Sequence, residues 1–295
     1  VSQVKFHSPS SLTEALRLLG ELEDARILAG GTDLLVDIKE GLAEVKNLIS
    51  IQDLPGLDRI ERVDNRLQIG ARVTPQEIAA NPDIRQHLPA LAEAAGTMAS
   101  PHIRSMATIG GNISSAVPSA DLPPPLIAAE AAVELVCSGG AREVSLAEFF
   151  SGPRQTVCGG GEILTFVQIP LPPPETGACF QRFSLRDSNA LAVASVAARL
   201  TLEDGRIAAA SIVLGAVAPT PLKAAAASQF LVGKRPSDDL YAQAAALARK
   251  ECRPITDLRG SIWFRQEIVQ TLTQRVLAGA AGRARTGLSK ARERT

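Results

Sequence analysis

Over residues 1–56 short apolar runs alternate with stretches whose apolar residues recur at helical spacing. VKF at 4–6, RILA at 26–29 and KNLISI at 46–51 predict strands. Leu12, Leu16 and Leu19 fall on one helical face. Ser11-Leu12-Thr13-Glu14 reads as a capping box, with Ser11 bonding the N3 amide and Glu14 reaching back to the cap amide. Gly30-Gly31-Thr32 predicts a turn, and 33–40 a helix with acid in its first turn.

The pattern restarts near Leu57. Ile60, Val63, Leu67 and Ile69 flank Asp64-Asn65 and predict a hairpin. Thr74-Pro75-Gln76-Glu77 supplies a cap, a proline at the first helical position and Glu at N3, a strong helix start. A helix over 89–95 leads into an irregular stretch through His102 to a second Gly pair, Gly110-Gly111. Pro123-Pro124-Pro125 sits where a helix can open, and 132–136 and 162–169 predict strands. Pro170-Leu171-Pro172-Pro173-Pro174 is a stiff, donor-poor connection that marks a domain boundary.

Beyond it the order changes. Three long strands are predicted over 180–185, 191–200 and 207–218, the last two turned into a hairpin by Asp204-Gly205. Helices follow over 222–231, 239–250 and 262–278. Strands followed by helices predict an α+β domain with a three-stranded antiparallel sheet. The expected units are 1–56, 57–174 and 175–282. The tail 283–295, with four Arg, one Lys and little apolar content, is expected to be disordered.

Composition narrows the function classes. A chain of 295 residues is long enough for about two domains with buried cores. Its 31 Lys+Arg balance 31 Asp+Glu, which gives no general attraction for nucleic acid or an anionic membrane. The VSQVKFHSPS start lacks a signal-peptide pattern and no apolar run is long enough to span a bilayer, so no membrane span and a cytoplasmic location are expected. Cys137, Cys158, Cys179 and Cys252 stand singly, without a C-x-x-C pair, and are expected to be free, structural thiols.

Chemistry concentrates at the two Gly pairs. Leu28-Ala29-Gly30-Gly31-Thr32-Asp33-Leu34 and Ala107-Thr108-Ile109-Gly110-Gly111-Asn112 read as strand ends whose missing side chains and access to positive φ let backbone N–H groups approach an anion. The first also opens a helix, where a phosphate is favoured, and Thr32 can add a hydroxyl donor. The plain alternative for each is a tight turn. Neither G-x-G-x-x-G nor a Walker loop occurs.

These stretches, with Ile103-Arg104-Ser105-Met106, Pro118-Ser119-Ala120-Asp121-Leu122-Pro123, Ile69-Gly70-Ala71, Phe149-Phe150-Ser151-Gly152-Pro153, Gly161-Glu162-Ile163-Leu164-Thr165 and Phe180-Gln181-Arg182, resemble the FAD-binding medium subunit of molybdenum hydroxylases. The motifs keep one order over nearly the whole chain. The resemblance implies a non-Rossmann FAD fold in which two small α/β subdomains hold a noncovalent flavin under a C-terminal α+β domain. It implies Gly30-Gly31-Thr32 and Gly110-Gly111-Asn112 on the pyrophosphate. Asp121 is implied as an acceptor for the cofactor's hydroxyl-bearing chain, its bland alternative being an N-cap to the helix after Pro123. Leu164 is implied on the isoalloxazine, though alone it reads as core.

Arg182 stands where many relatives carry Lys beside the flavin ring, where a cation favours the reduced ring, with an exposed cross-strand Arg as the alternative. His102 reads as a polar loop residue rather than a base, and His7 and His87 get no special role. Asp121 runs straight into Leu122-Pro123 without the cysteine-rich insertion of the aromatic-thioester-reducing branch. The resemblance further implies a large molybdenum-cofactor subunit, a small subunit with two-iron two-sulfur clusters, an external electron acceptor and a dimer of heterotrimers. The alternatives are a self-sufficient FAD-dependent oxidoreductase acting on an organic substrate, and a degenerate scaffold.

Overall fold

A computed structural model describes residues 4–292, with side chains as far as Arg285. Three larger sheets succeed one another along the chain, each with its own core, and a two-stranded sheet pairs Phe150–Gly152 with Gln155–Thr156. In the first, Lys5–His7 and Ala25–Leu28 flank Asn47–Ser50, all parallel, with helices Leu12–Glu21 and Leu34–Lys39 in the connections. Parallel pairing requires such crossovers, which is why strands and helices alternate here. Ala15, Ile49 and Leu54 are buried beneath, joined by Ile163 from the second unit. Ser11 Oγ accepts from Glu14 N–H as expected. Glu14 reaches one residue further back than the capping box predicts, its Oε2 accepting from Ser10 N–H at 2.9 Å.

The second sheet runs Ile60–Val63, Arg66–Gly70, Ile163–Pro170, Ala132–Cys137, Gly140–Ser145 and is antiparallel at every pairing, so this unit is not a parallel α/β layer. Seven short helices lie between its strands, Pro75–Ala80 opening on the complete capping box of Thr74 and Glu77. Their apolar faces meet the sheet in a core that includes Ile69, Ile78, Leu126 and Phe149. The stretch around the second Gly pair, expected as a strand end, is the helix Ile109–Ser114, preceded by Pro101–Arg104.

The third sheet orders Thr176–Phe183, Ala194–Glu203, Arg206–Gly215 and Leu222–Lys223, all antiparallel. The expected three strands are therefore four, because Leu222 and Lys223 pair with Leu214 and Val213 before helix Ala225–Leu231 begins. Asp204 and Gly205 both take positive φ in the predicted hairpin turn. Helices Asp238–Glu251 and Ile262–Arg292 cover one face, burying Ala244, Val276 and Ala280 against Val196 and Leu214. The last helix continues through 283–292, ground that was expected to be a disordered tail; residues 293–295 lie outside the described residues. Among the described residues no helix is long and apolar enough to cross a membrane.

Candidate functional site

A cleft of about 890 Å³ opens where the first sheet's carboxyl end meets the helices of the second unit. Leu28, Ala29, Gly30, Gly31, Thr32, Asp33 and Leu34 line one side. Ala107, Thr108, Gly110, Gly111, Asn112, Asp121 and Leu164 line the other. Two expected residues do not line it. Ile109 is fully buried in the second core. Arg182 stands behind Asp121 rather than on the cleft wall.

The two Gly pairs do different jobs. At Gly31 φ is +71°, the left-handed region that favours glycine. A Cβ on Gly30 would sit 1.9 Å from the carbonyl oxygen of Met106, so this glycine lets the first loop touch the segment that leads into the second. Among the described residues, the N–H groups of Gly30, Gly31, Thr32 and Asp33 have no protein partner. Asp33 makes no side-chain cap bond to the helix that follows.

At the second pair the expected free N–H groups are engaged. Ile109 N–H donates to Val73 O and Gly110 N–H to Ala71 O, each at 2.9 Å. Gly111 N–H donates to the capping Thr108 Oγ1 at 3.0 Å. Neither glycine has positive φ, which corrects the expectation of a φ-dependent anion cradle here. Their value is lack of bulk: a Cβ on Gly110 would lie 2.7 Å from Ala71 Cβ, whereas one on Gly111 would meet only Thr108 Oγ1, at 3.0 Å.

Asp121 is 5% exposed. Its Oδ2 accepts from Arg182 Nη1 at 2.7 Å, and its Oδ1 is buried without a partner. Burial pushes its pKa up to about 6, against the opposing pull of the Arg182 guanidinium. The N-cap alternative fails, since the cap position of helix Pro123–Ala128 is Leu122, with no side-chain cap bond. Asn112 Oδ1 is a second buried acceptor without a partner. Leu164 lies on strand Ile163–Pro170 at the bulge between Leu164 and Phe166. Arg182 is not an exposed cross-strand residue either, because its side chain is 6% exposed.

Several lining residues carried no recognised signal. Arg154, in the turn between Phe150–Gly152 and Gln155–Thr156, donates to Asp37 Oδ2 at 2.6 Å and so ties the second unit to helix Leu34–Lys39 at the cleft. Cys158, Gly159, Gly160 and Glu162 also contribute; the triple glycine was the cue available in the sequence, beside the Gly161-Glu162 start of the motif already quoted. The hydrogen-bonded Arg142 holds Glu162 down at a pKa of about 2, and burial pushes the Cys158 thiol up to about 11. Ala190 and Leu191, from the segment between two strands of the third sheet, complete the wall. His102 is exposed on helix Pro101–Arg104 and does not line the cleft.

Known proteins share this fold. Residues 179–280 match the CO dehydrogenase flavoprotein C-terminal domain. The chain is 34% identical over 281 residues to the carbon monoxide dehydrogenase medium chain of Afipia carboxidovorans, covering 95% of this chain and 97% of that one. It is 29% identical to a xanthine dehydrogenase FAD-binding subunit of Escherichia coli, covering 95% and 96%. Its fold matches a structure of carbon monoxide dehydrogenase from Hydrogenophaga pseudoflava, a form lacking the Mo-pyranopterin moiety, with a TM-score of 0.92 at 33% identity over 95% of this chain and 98% of that chain. Residues 2–172 match the FAD binding domain in molybdopterin dehydrogenase, and the chain belongs to that family.

Proposed function

We propose that this chain is the FAD-carrying electron-transfer subunit of a multi-subunit molybdenum hydroxylase, with the flavin in the cleft between the first two units. The observation that carries the reading is the placement of unpartnered N–H donors at 30–33 and a buried, unpartnered carboxylate oxygen of Asp121 in one cleft. An anion-accepting end and a hydroxyl-accepting point fit a pyrophosphate next to a polyhydroxyl chain. The cleft volume falls within the roughly 300 to 1,000 Å³ usual for small-molecule sites.

In this reading residues 28–34 hold the pyrophosphate, while Gly111 clears the space opposite and Gly110 lets its helix pack on Ala71. Asp121 and Asn112 accept from the sugar and ribityl hydroxyls, and Leu164 packs on the ring. FAD supplies an exchange between one-electron donors and a two-electron acceptor. The residues bind it, orient it and limit water around it. The division at 1–56, 57–174 and 175–282 suits this arrangement, with the third unit closing the cleft through Ala190 and Leu191. Partners are a large molybdenum-cofactor subunit, a small two-iron two-sulfur subunit and an external acceptor, in the cytoplasm, assembled as a dimer of heterotrimers. The family match and the relatives' description as medium chains support the large and small subunits.

The test is purification from the source cell with visible absorption and native mass spectrometry. One FAD per chain, released by acid, together with molybdenum and iron on co-purifying chains, is the expected result. A colourless chain that cannot be reconstituted with FAD, or flavin that stays on the acid-precipitated polypeptide, overturns it.

A further inference from the structure

The ion pair beneath the cleft is lopsided. Both side chains are 6% exposed, yet Arg182 meets only one carboxylate oxygen, through Nη1. A fork-on-fork pair would have used both oxygens of Asp121; here Oδ1 is left for something else. The same Nη1 donates to the carbonyl of Ala190 at 3.1 Å. Ala190 ends the segment 184–190 that crosses from strand Thr176–Phe183 toward strand Ala194–Glu203, and with Leu191 it lines the cleft. The segment has a second anchor, Asn189 N–H to Ala99 O at 3.0 Å, and Ala99 also lines the cleft.

We propose that Arg182 is a positioning residue for cofactor retention: it keeps the Asp121 carboxylate ionised with Oδ1 free for the cofactor, and it clamps segment 184–191 over the cleft through Ala190. This rests on the FAD reading above and goes beyond it, because Arg182 acts without lining the site. The physical reason is desolvation. A carboxyl this deep is driven toward its neutral form, and the guanidinium is the charge that opposes this. Without Arg182, burial acts unopposed and drives Asp121 further toward the protonated form, in which an acceptor becomes a donor. The other charged groups nearby are engaged elsewhere or face solvent. Arg186 donates to Asn189 O, Asp187 is exposed, Arg154 pairs with Asp37, and Glu162 pairs with Arg142.

FAD affinity, read by flavin fluorescence quenching between about pH 5 and about pH 8, tests this in the full chain. Wild-type affinity should fall as pH drops through about 6, where Asp121 takes up its proton. Arg182→Met should weaken binding at least roughly tenfold at neutral pH and move the midpoint up by at least about one pH unit, the equivalent of that tenfold. Arg182→Lys should leave the midpoint near wild type but speed amide exchange at 189–191, since the Lys side chain ends one atom short of the Nη1 position from which both partners are reached. Asp121→Asn should bind weakly with no midpoint in this range. An unmoved midpoint in Arg182→Met overturns the inference even if affinity falls, because a merely structural role weakens binding without shifting a titration. Should Arg182→Met not fold, a surviving midpoint in Asp121→Asn or unchanged exchange in Arg182→Lys overturns it instead. If wild type takes up no FAD, the functional reading fails as well; if wild type binds and the variants behave like it, this inference alone fails.

Discussion

Alanine at two of the cleft glycines should separate folding from cofactor binding, because the structure puts their missing side chains in opposite surroundings. At Gly111, which lines the cleft, the added methyl meets only the Thr108 hydroxyl, at 3.0 Å. The position is helical, so Gly111→Ala gains the propensity difference, about 0.5 to 1 kcal/mol, less some loss from the tight contact. The flavin-free protein should melt within a few degrees of wild type. The same methyl intrudes where the pyrophosphate would lie, at a cost comparable to overpacking, about 1 to 3 kcal/mol, or roughly 5- to 150-fold in FAD affinity. At Gly30 the methyl would lie 1.9 Å from the Met106 carbonyl oxygen, so the two loops must part. Gly30→Ala should therefore lose about 1 to 3 kcal/mol of stability even without flavin, at roughly 2 to 4 °C per kcal/mol. Circular dichroism melts of both flavin-free variants, paired with FAD titrations, read the two effects separately. Wild-type FAD affinity in Gly111→Ala would sink the placement of the pyrophosphate; an unshifted melt in Gly30→Ala would sink the close approach of the loops.

Three further expectations follow from the same geometry. Arg154→Ala removes an exposed partner of Asp37, so equilibrium stability should change by no more than about 1 kcal/mol, whereas FAD release, followed by stopped-flow fluorescence, should speed up; an unchanged release rate would remove Arg154 as a latch. Glu162 has its folded pKa lowered to about 2, so its contribution is present above the unfolded value near 4.3 and is lost as pH falls toward 2. Glu162→Gln should flatten acid unfolding across that window, and an identical acid titration would contradict the pairing with Arg142. Cys158, half-buried and with its thiol pushed up to about 11, should react slowly with a thiol reagent at neutral pH, and rapid labelling of that residue by peptide mass mapping would contradict the raised pKa.

What was legible in the sequence was local. The Thr74-Glu77 capping box forms as read because its partners are three residues apart. The Asp204-Gly205 hairpin forms because that pair tolerates positive φ. The second Gly pair misled for the opposite reason. Two glycines argue against a helix, yet Ile109–Ser114 is held there by Val73 and Ala71, carbonyl partners far away in sequence. The role of Arg182 was hidden in the same way, its carboxylate partner lying 61 positions earlier. Strand Gly140–Ser145 left no trace because it is an edge strand exposed on nearly every residue and lacks alternation. Asp121 was legible as chemistry only through its motif; the partnerless Oδ1 that gives it meaning is a three-dimensional fact.

The cleft is built to hold a cofactor rather than to take a proton from an organic substrate. A self-sufficient oxidoreductase would need a base near the flavin, poised close to neutral pH. Glu162 is held at about 2 by Arg142 and is too weak a base. Cys158 stays protonated at neutral pH. Asp121 is tied to Arg182 and occupied by the cofactor in the proposed arrangement. His102 stands off the lining altogether. Relatives named for carbon monoxide and for xanthine each match over 95% of this chain, at 34% and 29% identity. The isolated, FAD-loaded chain should therefore stay oxidised under anaerobic conditions with aldehydes, purines or N-heterocycles, while reduced nicotinamide or a chemically reduced low-potential dye bleaches its visible absorption. Bleaching by an organic substrate in the absence of any other polypeptide, molybdenum or iron would show that this chain carries a substrate site of its own and would replace the subunit reading with a complete flavoenzyme.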